Sequence, residues 1–174
     1  KRINIGIKRY KNAIREVRAN KQYLKFLGLS LEKNTILVEA GRGEDEAERV
    51  AALFDCLKEK HIEGDVYLAL PSKSKKNYKK ELHGHNITCA GILSRNGTEY
   101  RKIISTACMI ITDDALPDYY IKKGPQKLMM LCDTLMSRRN GRSNLASAAG
   151  FGSLQRTLLL ADELIFTGKP EESD

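Results

Sequence analysis

The chain has 174 residues, of which 41% are hydrophobic and 30% charged, a composition typical of one globular domain and not of a disordered chain. No apolar run approaches the roughly 18 residues of a membrane-spanning helix. The net charge is +8, and residues 1–34 carry all of it, with ten Lys or Arg and two acids. The chain begins at Lys1 rather than Met, and we expect it to be either an excerpt of a longer protein or a processed product.

Residues 1–33 are predicted to form a basic amphipathic leader helix or linker. Apolar side chains recur there at spacings of three and four, interrupted by Lys21: Ile3, Ile7, Tyr10, Ile14, Val17, Leu24 and Leu27. One interpretation is a helix packed on the domain through Ile7, Ile14 and Val17. The other is a surface helix at an anionic membrane, where each basic group contributes about 1 kcal/mol. We expect no nucleic-acid partner, because the basic charge is confined to the leader and interleaved aromatic residues are absent.

Residues 34–174 alternate between strand and helix patterns. Short apolar runs predict six strands, at 35–39, 65–70, within 86–93, and at 107–112, 127–132 and 163–166. Helical patterns lie at about 45–60, 98–106 and 152–161. This alternation predicts right-handed crossovers and a doubly wound, mostly parallel, Rossmann-like α/β sheet. We expect five apolar residues to be buried in its central strands: Val38, Leu68, Ile110, Met130 and Ile165.

Ligands of such sheets bind at the carboxyl ends of the strands, which directs attention to residues 40–45, 112–118 and 132–144. The loop from Gly41 to Gly43 follows the first strand, but it lacks the third glycine of a dinucleotide motif and the Gly-Lys-Ser/Thr of a phosphate loop. A turn with a helix cap is the favoured interpretation, and no cofactor is expected. The four cysteines and three histidines do not have the spacing of zinc ligands, so no metal site is predicted.

Acidic residues end two of the predicted strands. Asp113 and Asp114 follow the fourth strand and could bind a metal or a hydroxylated ligand, or cap the turn into Pro117, which is the favoured interpretation. Asp133 follows the fifth strand, and three arginines come soon after it: Arg138, Arg139 and Arg142. A carboxylate beside an arginine cluster suits phosphate handling, whereas an Asp that pairs with its own arginines at a solvated edge is the structural alternative.

Two runs carry a resemblance to a known family. LPDYYIKKGPQ at 116–126 and LQRTLLLADELI at 154–165 are similar to the amino-terminal half of CDP-glycerol glycerophosphotransferases, the teichoic acid polymerases and primases of Gram-positive cell walls. The resemblance covers about residues 34–168 and is weak outside these runs. It implies a Rossmann-like half of a two-domain, GT-B transferase whose CDP-glycerol pocket lies in a carboxyl-terminal half that this chain lacks.

The chain departs from the family pattern where the chemistry is expected. Asp133 stands at the position of the family's catalytic His, Arg138 replaces a Lys, and Asp113 occupies an Asn position. An unperturbed Asp has a pKa near 4 and is a weaker base than His at neutral pH. Asp133 is therefore either a tuned base or the mark of a divergent member, and we expect it to lie within ion-pair distance of Arg138, Arg139 or Arg142.

The resemblance implies a transfer of glycerol phosphate from CDP-glycerol, or another CDP-polyol, to a polyol-phosphate or lipid-linked acceptor. The location would be cytoplasmic, at the inner face of the cell membrane. This domain would supply the acceptor side and be inactive alone. Asp133 would be the base, and the implied binding residues are Arg138, Arg139 and Arg142 for phosphate, Asp113 and Gln126 for pocket shape, and Gly41 and Gly43 for close backbone approach. The alternative is a non-catalytic binding domain that retains the fold.

Overall fold

The computed structural model describes residues 2–40, 46–60, 64–71, 89–133 and 148–167. In these ranges the helices are α1 (Arg2–Leu27), α2 (Glu46–Glu59), α3 (Thr98–Thr106) and α4 (Ala148–Leu160). The strands are β1 (Glu32–Glu39), β2 (Asp65–Leu70), β3 (Gly91–Ser94), β4 (Ala107–Thr112), β5 (Lys127–Asp133) and β6 (Glu163–Thr167). Every strand and helix predicted above is found, and the bounds agree best for β2, β4 and α3.

The six strands form one sheet in the order β3-β2-β1-β4-β5-β6, and every pairing between described neighbours is parallel. The prediction of a doubly wound, Rossmann-like α/β sheet is confirmed. The chain moves outward from β1 to β3 and then returns to place β4 on the other side of β1. The carboxyl ends of β1 and β4 therefore flank the point at which the direction of winding reverses.

Helices cover both faces of the sheet, and each face has its own apolar core. On one face α2 contributes Val50 and Phe54, which pack with Ile36 and Val38 of β1. On the other face α1 and α3 pack over Leu37, Ile110 and Leu128, together with the loop after β4. Leu154 of α4 joins Met130 and Cys132 of β5. Since successive side chains of a strand point to opposite faces, both faces can be apolar only if the strands are apolar throughout.

Four of the five predicted core residues are buried, and the fifth is not. Val38, Leu68, Ile110 and Met130 are each at most 2% exposed, whereas Ile165 is 39% exposed. Ile165 lies on β6, which is the edge strand beyond β5. An apolar sequence does not reveal whether a strand is central or at the edge, and the prediction for Ile165 was wrong for that reason.

The leader helix α1 is packed on the domain, but Val17, one of the three residues predicted to make the contact, is exposed. Ala19 and Tyr23 are buried against α3 and the loop after β4, while Val17 is 53% exposed and Ile14 is half-buried. The side chain of Ile7 lies outside the described part of the structure. Helix α1 thus packs through Ala19 and Tyr23, on the side of the helix roughly opposite to Val17. Among the described helices, none is both long enough and apolar enough to span a bilayer.

Candidate functional site

A buried carboxylate lies where β1 and β4 end together. Glu39 is the last residue of β1, is in register with Thr112 of β4, and is only 2% exposed. The Tyr100 hydroxyl on α3 donates a hydrogen bond to Glu39 Oε1, and Arg95 Nε lies 3.5 Å from Oε2. Burial raises the pKa of Glu39 to about 7, because loss of water outweighs the attraction of Arg95 and the hydrogen bond from Tyr100.

Arg95 is held between two acids, Glu39 at the end of β1 and Asp114 in the turn after β4. Arg95 Nε contacts Glu39, and Arg95 Nη1 donates a hydrogen bond to Asp114 Oδ2 at 3.2 Å. Asp114 also caps the turn after β4, since its Oδ1 accepts from the Ala115 amide at 2.7 Å and its amide donates to Thr112 Oγ1 at 3.1 Å. These contacts fix the orientation of the Arg95 guanidinium at the carboxyl edge of the sheet.

A cleft of ≈ 760 Å³ opens at this edge between α1, the start of α3 and the loop after β4. It is lined by Arg15, Glu16, Arg18, Ala19, Asn20, Gln22, Arg95, Asn96, Thr98, Arg101, Pro117, Asp118 and Tyr119. Four of these residues are arginines and two are acids, so the wall of the cleft is basic. Arginine presents planar pairs of N–H donors that match the oxygens of phosphate, which makes this cleft suited to an anionic ligand.

The cleft is positioned by the packing of α1 on α3. Arg101 Nη1 donates to Gln22 Oε1 at 2.9 Å, which links the two helices across the floor of the cleft. Helix α3 begins at Thr98. Its N-cap residue is Gly97, which has no side chain that could cap the first turn. The amide groups of a helix's first turn favour negative charge, so the amino end of α3 adds to the effect of the arginines.

The third wall of the cleft, the loop after β4, is held in place by α4. Arg156 donates to three backbone carbonyls of this loop. Its Nη2 donates to Pro117 O at 2.5 Å, and its Nη1 donates to Asp118 O at 3.1 Å and to Tyr120 O at 3.0 Å. Thr157 Oγ1 accepts from the Leu116 amide at 2.9 Å. The runs 116–126 and 154–165, which carry the resemblance described above, therefore form one packed unit.

The predicted site residues of the carboxyl edge are found in part within the described structure. Asp113 follows β4, is 9% exposed, and is close enough to Glu39 to contribute to its raised pKa. Asp133 ends β5 in register with Thr167 of β6, so its backbone lies at the carboxyl edge as predicted. The side chain of Asp133 and residues Gly41, Gly43, Arg138, Arg139 and Arg142 lie outside the part that the structure describes. Their roles, and the ion pair of Asp133, stay predictions.

Gln126 is placed differently from the prediction. It directly precedes β5, at the amino edge of the sheet, and is 1% exposed. Its Oε1 accepts from the Tyr120 hydroxyl at 2.7 Å, and its Nε2 donates to Ile104 O at 3.1 Å and Ala107 O at 2.7 Å. A pocket-shaping role at the carboxyl edge does not fit this position. The physical reason is that a polar residue before a buried strand satisfies backbone carbonyls in the core.

Sequence reasoning missed the residues that build the cleft. Glu39 was assigned only to a strand, although a carboxylate at the end of an apolar β-branched run is a signal of a buried charge. Arg95 and Arg101 are separated from Glu39 and Gln22 by more than fifty residues, and no local spacing connects them. Arg15 and Arg18 were included only in the overall charge of the leader.

No protein-family model and no curated protein sequence matches the chain. Among solved structures, it is similar to a variant of the wall teichoic acid polymerase TagF soaked with CDPG (15% identity, TM-score 0.47) and to a second variant of the same polymerase (16% identity, TM-score 0.46). In both comparisons the match covers 72% of this chain. It covers 32% of the first polymerase chain and 31% of the second. A Listeria monocytogenes protein provisionally described as a UDP-N-acetylglucosamine 2-epimerase is 12% identical, with a TM-score of 0.48 over 77% of this chain and 39% of that one. The chain thus spans about a third of the length of these proteins.

Proposed function

We propose that this chain is the acceptor-side domain of a glycerophosphotransferase-like protein, and that the arginine-lined cleft binds the phosphate groups of a polyol-phosphate or lipid-linked acceptor. The observation that carries the proposal is the convergence of Arg15, Arg18, Arg95 and Arg101 at the carboxyl edge of the sheet. One wall of this cleft is the loop whose sequence resembles the CDP-glycerol glycerophosphotransferases, and the other wall is the basic leader helix.

The proposed reaction transfers glycerol phosphate from CDP-glycerol, or another CDP-polyol, to a hydroxyl of the acceptor and releases CMP. The donor would be bound by a carboxyl-terminal domain, so this chain alone is expected to bind acceptor and to be inactive. The acceptor would be presented at the inner face of the cell membrane. Arg138, Arg139 and Arg142 would extend the phosphate-binding surface from the cleft toward Asp133.

The test is a calorimetric titration of the chain with glycerol 3-phosphate, inorganic phosphate and a short poly(glycerol phosphate) at low salt. We expect the oligomer to bind more tightly than the monomer, because several phosphates contact the cleft at once. Arg15→Gln and Arg18→Gln should each weaken binding about tenfold, the effect of one lost charge-assisted hydrogen bond. The matched control is Lys25→Gln, also on α1 but not lining the cleft.

Two results would separate the possibilities. Equal affinity of wild type and Arg18→Gln for poly(glycerol phosphate) would contradict the assignment of the cleft. Normal acceptor binding without turnover in a longer protein that also carries the donor domain would favour the second candidate, a binding domain that keeps the fold. The substitution of Asp133 for the family's His is the observation that favours this candidate.

A further inference from the structure

Helix α1 has two different faces, and within the described part of the chain only one of them is used in packing. On the packed face Ala19 and Tyr23 are buried, the Tyr23 hydroxyl donates to Ile121 O at 3.1 Å, and Phe26 O accepts from Ser105 Oγ at 2.8 Å. On another face three large side chains are exposed, with Tyr10 at 69%, Val17 at 53% and Leu24 at 58%. Exposed apolar side chains that line up on one helix indicate an interaction surface.

The exposed residues follow a heptad repeat. The d positions of the repeat are occupied by residues seven apart, namely Tyr10, Val17 and Leu24. Each a position lies four residues after a d position, and the a positions are occupied by Ile14 and Lys21. In the sequence, Ile3 and Ile7 continue the same d and a spacing toward the amino end. We call the segment from Tyr10 to Leu24 the a/d seam. A seam with this 3.5-residue period is the surface that a second helix contacts in a two-stranded coiled coil.

We propose that the a/d seam of α1 is a docking site for an acidic amphipathic helix. The residues beside the seam at the e positions are all basic, namely Lys11, Arg18 and Lys25, and Lys21 lies within the seam itself. Glu16 is the only acid in α1. A partner helix with Glu or Asp next to its own apolar seam would form ion pairs with the e positions, which selects the partner and its register.

The same charges argue against pairing with a second copy of the chain. In a parallel pair the two Lys21 side chains would face each other in the seam, and in an antiparallel pair the basic e positions would lie together. They also argue against a lipid surface as the main target. An interfacial helix needs a broad apolar face with several bulky residues such as Trp, Phe or Leu, whereas this seam is narrow, has a single Leu and no Trp or Phe, and is interrupted by Lys21.

The probe is a synthetic peptide of four heptads with Ile at a, Leu at d and Glu at e and g, and with Asp at the a position that faces Lys21. Its binding to the chain is measured by fluorescence anisotropy near 0.1 M salt. We expect Val17→Asp and Leu24→Asp to weaken binding at least about tenfold, because each puts a charge into the seam. The charge-matched control is Asn12→Asp, which is exposed on α1 outside the seam and should bind as the wild type does.

Circular dichroism of each variant verifies that the chain remains folded. Val17→Asp should bind glycerol 3-phosphate as the wild type does, which shows that the a/d seam and the cleft are different binding surfaces. A scrambled peptide of the same composition should bind at least about tenfold more weakly. Equal binding of the scrambled peptide, or unchanged binding by Val17→Asp, would overturn the proposal. It would also be overturned if sedimentation shows a dimer of the chain alone through the seam, or if the seam binds phosphatidylglycerol vesicles and not the peptide.

Discussion

Arg95 lies beneath the cleft with its Nε 3.5 Å from the buried Oε2 of Glu39. The guanidinium therefore contributes both to the wall of the cleft and to the environment of a carboxyl group that is removed from water. This arrangement connects the protonation of Glu39 to the charge at the carboxyl edge. When Glu39 is protonated, Arg95 contributes its full charge to the cleft, apart from its pair with Asp114.

The first prediction concerns the pH dependence of stability. The pKa of Glu39 is about 7 in the folded chain and near 4.5 in the unfolded chain. The folded chain therefore binds more protons between these values, and stability contributed by Glu39 decreases as pH rises from about 4.5 to 7. In Glu39→Gln this decrease should disappear. Urea unfolding at pH 5, 6, 7 and 8 measures the free energy of unfolding of the wild type and of Glu39→Gln. Between pH 5 and pH 8 this free energy should rise in the variant relative to the wild type by about 2 to 3 kcal/mol.

The matched control for this experiment is Glu59→Gln, an exposed position at the end of α2. It should retain the decrease of the wild type between pH 5 and 7. A Glu39→Gln variant that retains the same decrease would show that another group causes it.

The second prediction concerns Gln126. In Gln126→Leu the carbonyls of Ile104 and Ala107 and the hydroxyl of Tyr120 lose their buried partner. Since each unsatisfied buried group costs about 1 to 3 kcal/mol, we expect a loss of about 3 kcal/mol in the free energy of unfolding. Gln155→Leu, exposed on α4, should change it by less than about 0.5 kcal/mol. A small effect at Gln126 would mean that water replaces the amide.

The third prediction concerns the hydrogen bonds from Arg156 of α4 to the loop after β4, which lines the cleft. Arg156→Ala removes three hydrogen bonds to the backbone of residues 117–120, so this loop should open more often. Hydrogen exchange of the amides in 118–123 should become at least about tenfold faster, and acceptor affinity should fall because the loop lines the cleft. In Arg156→Lys the exchange rate should lie between those of the wild type and Arg156→Ala, since one ammonium group cannot donate to three carbonyls in the same geometry. Unchanged exchange in Arg156→Ala, with Gln155→Ala as reference, would contradict this role.

The fourth prediction concerns Asp133 in a longer protein that also carries the donor domain. An arginine at ion-pair distance from Asp133, as predicted from the sequence, would favour the ionised form of this Asp and make it a poor base. On the proposed function we therefore expect that Asp133→His does not reduce transferase activity. Asp133→Asn should have little effect for the same reason. A loss of about a hundredfold or more in Asp133→Asn, measured as steady-state transfer, would show that this carboxylate is the general base.

The fold could be predicted from local patterns, because each strand and helix has its own apolar spacing. The apolar run of β4 and the turn before α3 place both elements within a residue of the structure. What local patterns do not contain is the order of the strands, which is why Ile165 was expected in the centre and lies on the edge strand. The packed face of α1 is equally non-local, since it depends on the surface that α3 presents to Ala19 and Tyr23.

The candidate site was less predictable than the fold for the same physical reason. Arg95, Arg101 and Glu39 come together only after the crossover from β3 to β4 is made, and none belongs to a recognisable spacing. The runs 116–126 and 154–165 were detectable from sequence. Their polar residues Gln126 and Arg156, however, bond to backbone groups of the chain itself, so the strongest sequence signals mark the support of the site rather than its ligand-facing groups.

The hydrogen bond between Tyr23 and Ile121 joins residues 98 positions apart, and that separation has a consequence in time. During synthesis α1 leaves the ribosome before the strands do, yet the surface on which it packs is not complete until the loop after β4 has emerged. At typical elongation rates the helix waits about 5 to 20 s for Ile121. In the meantime both faces of the helix are open to a partner, so an acidic helix that binds the a/d seam would act on the nascent chain as well as on the finished domain.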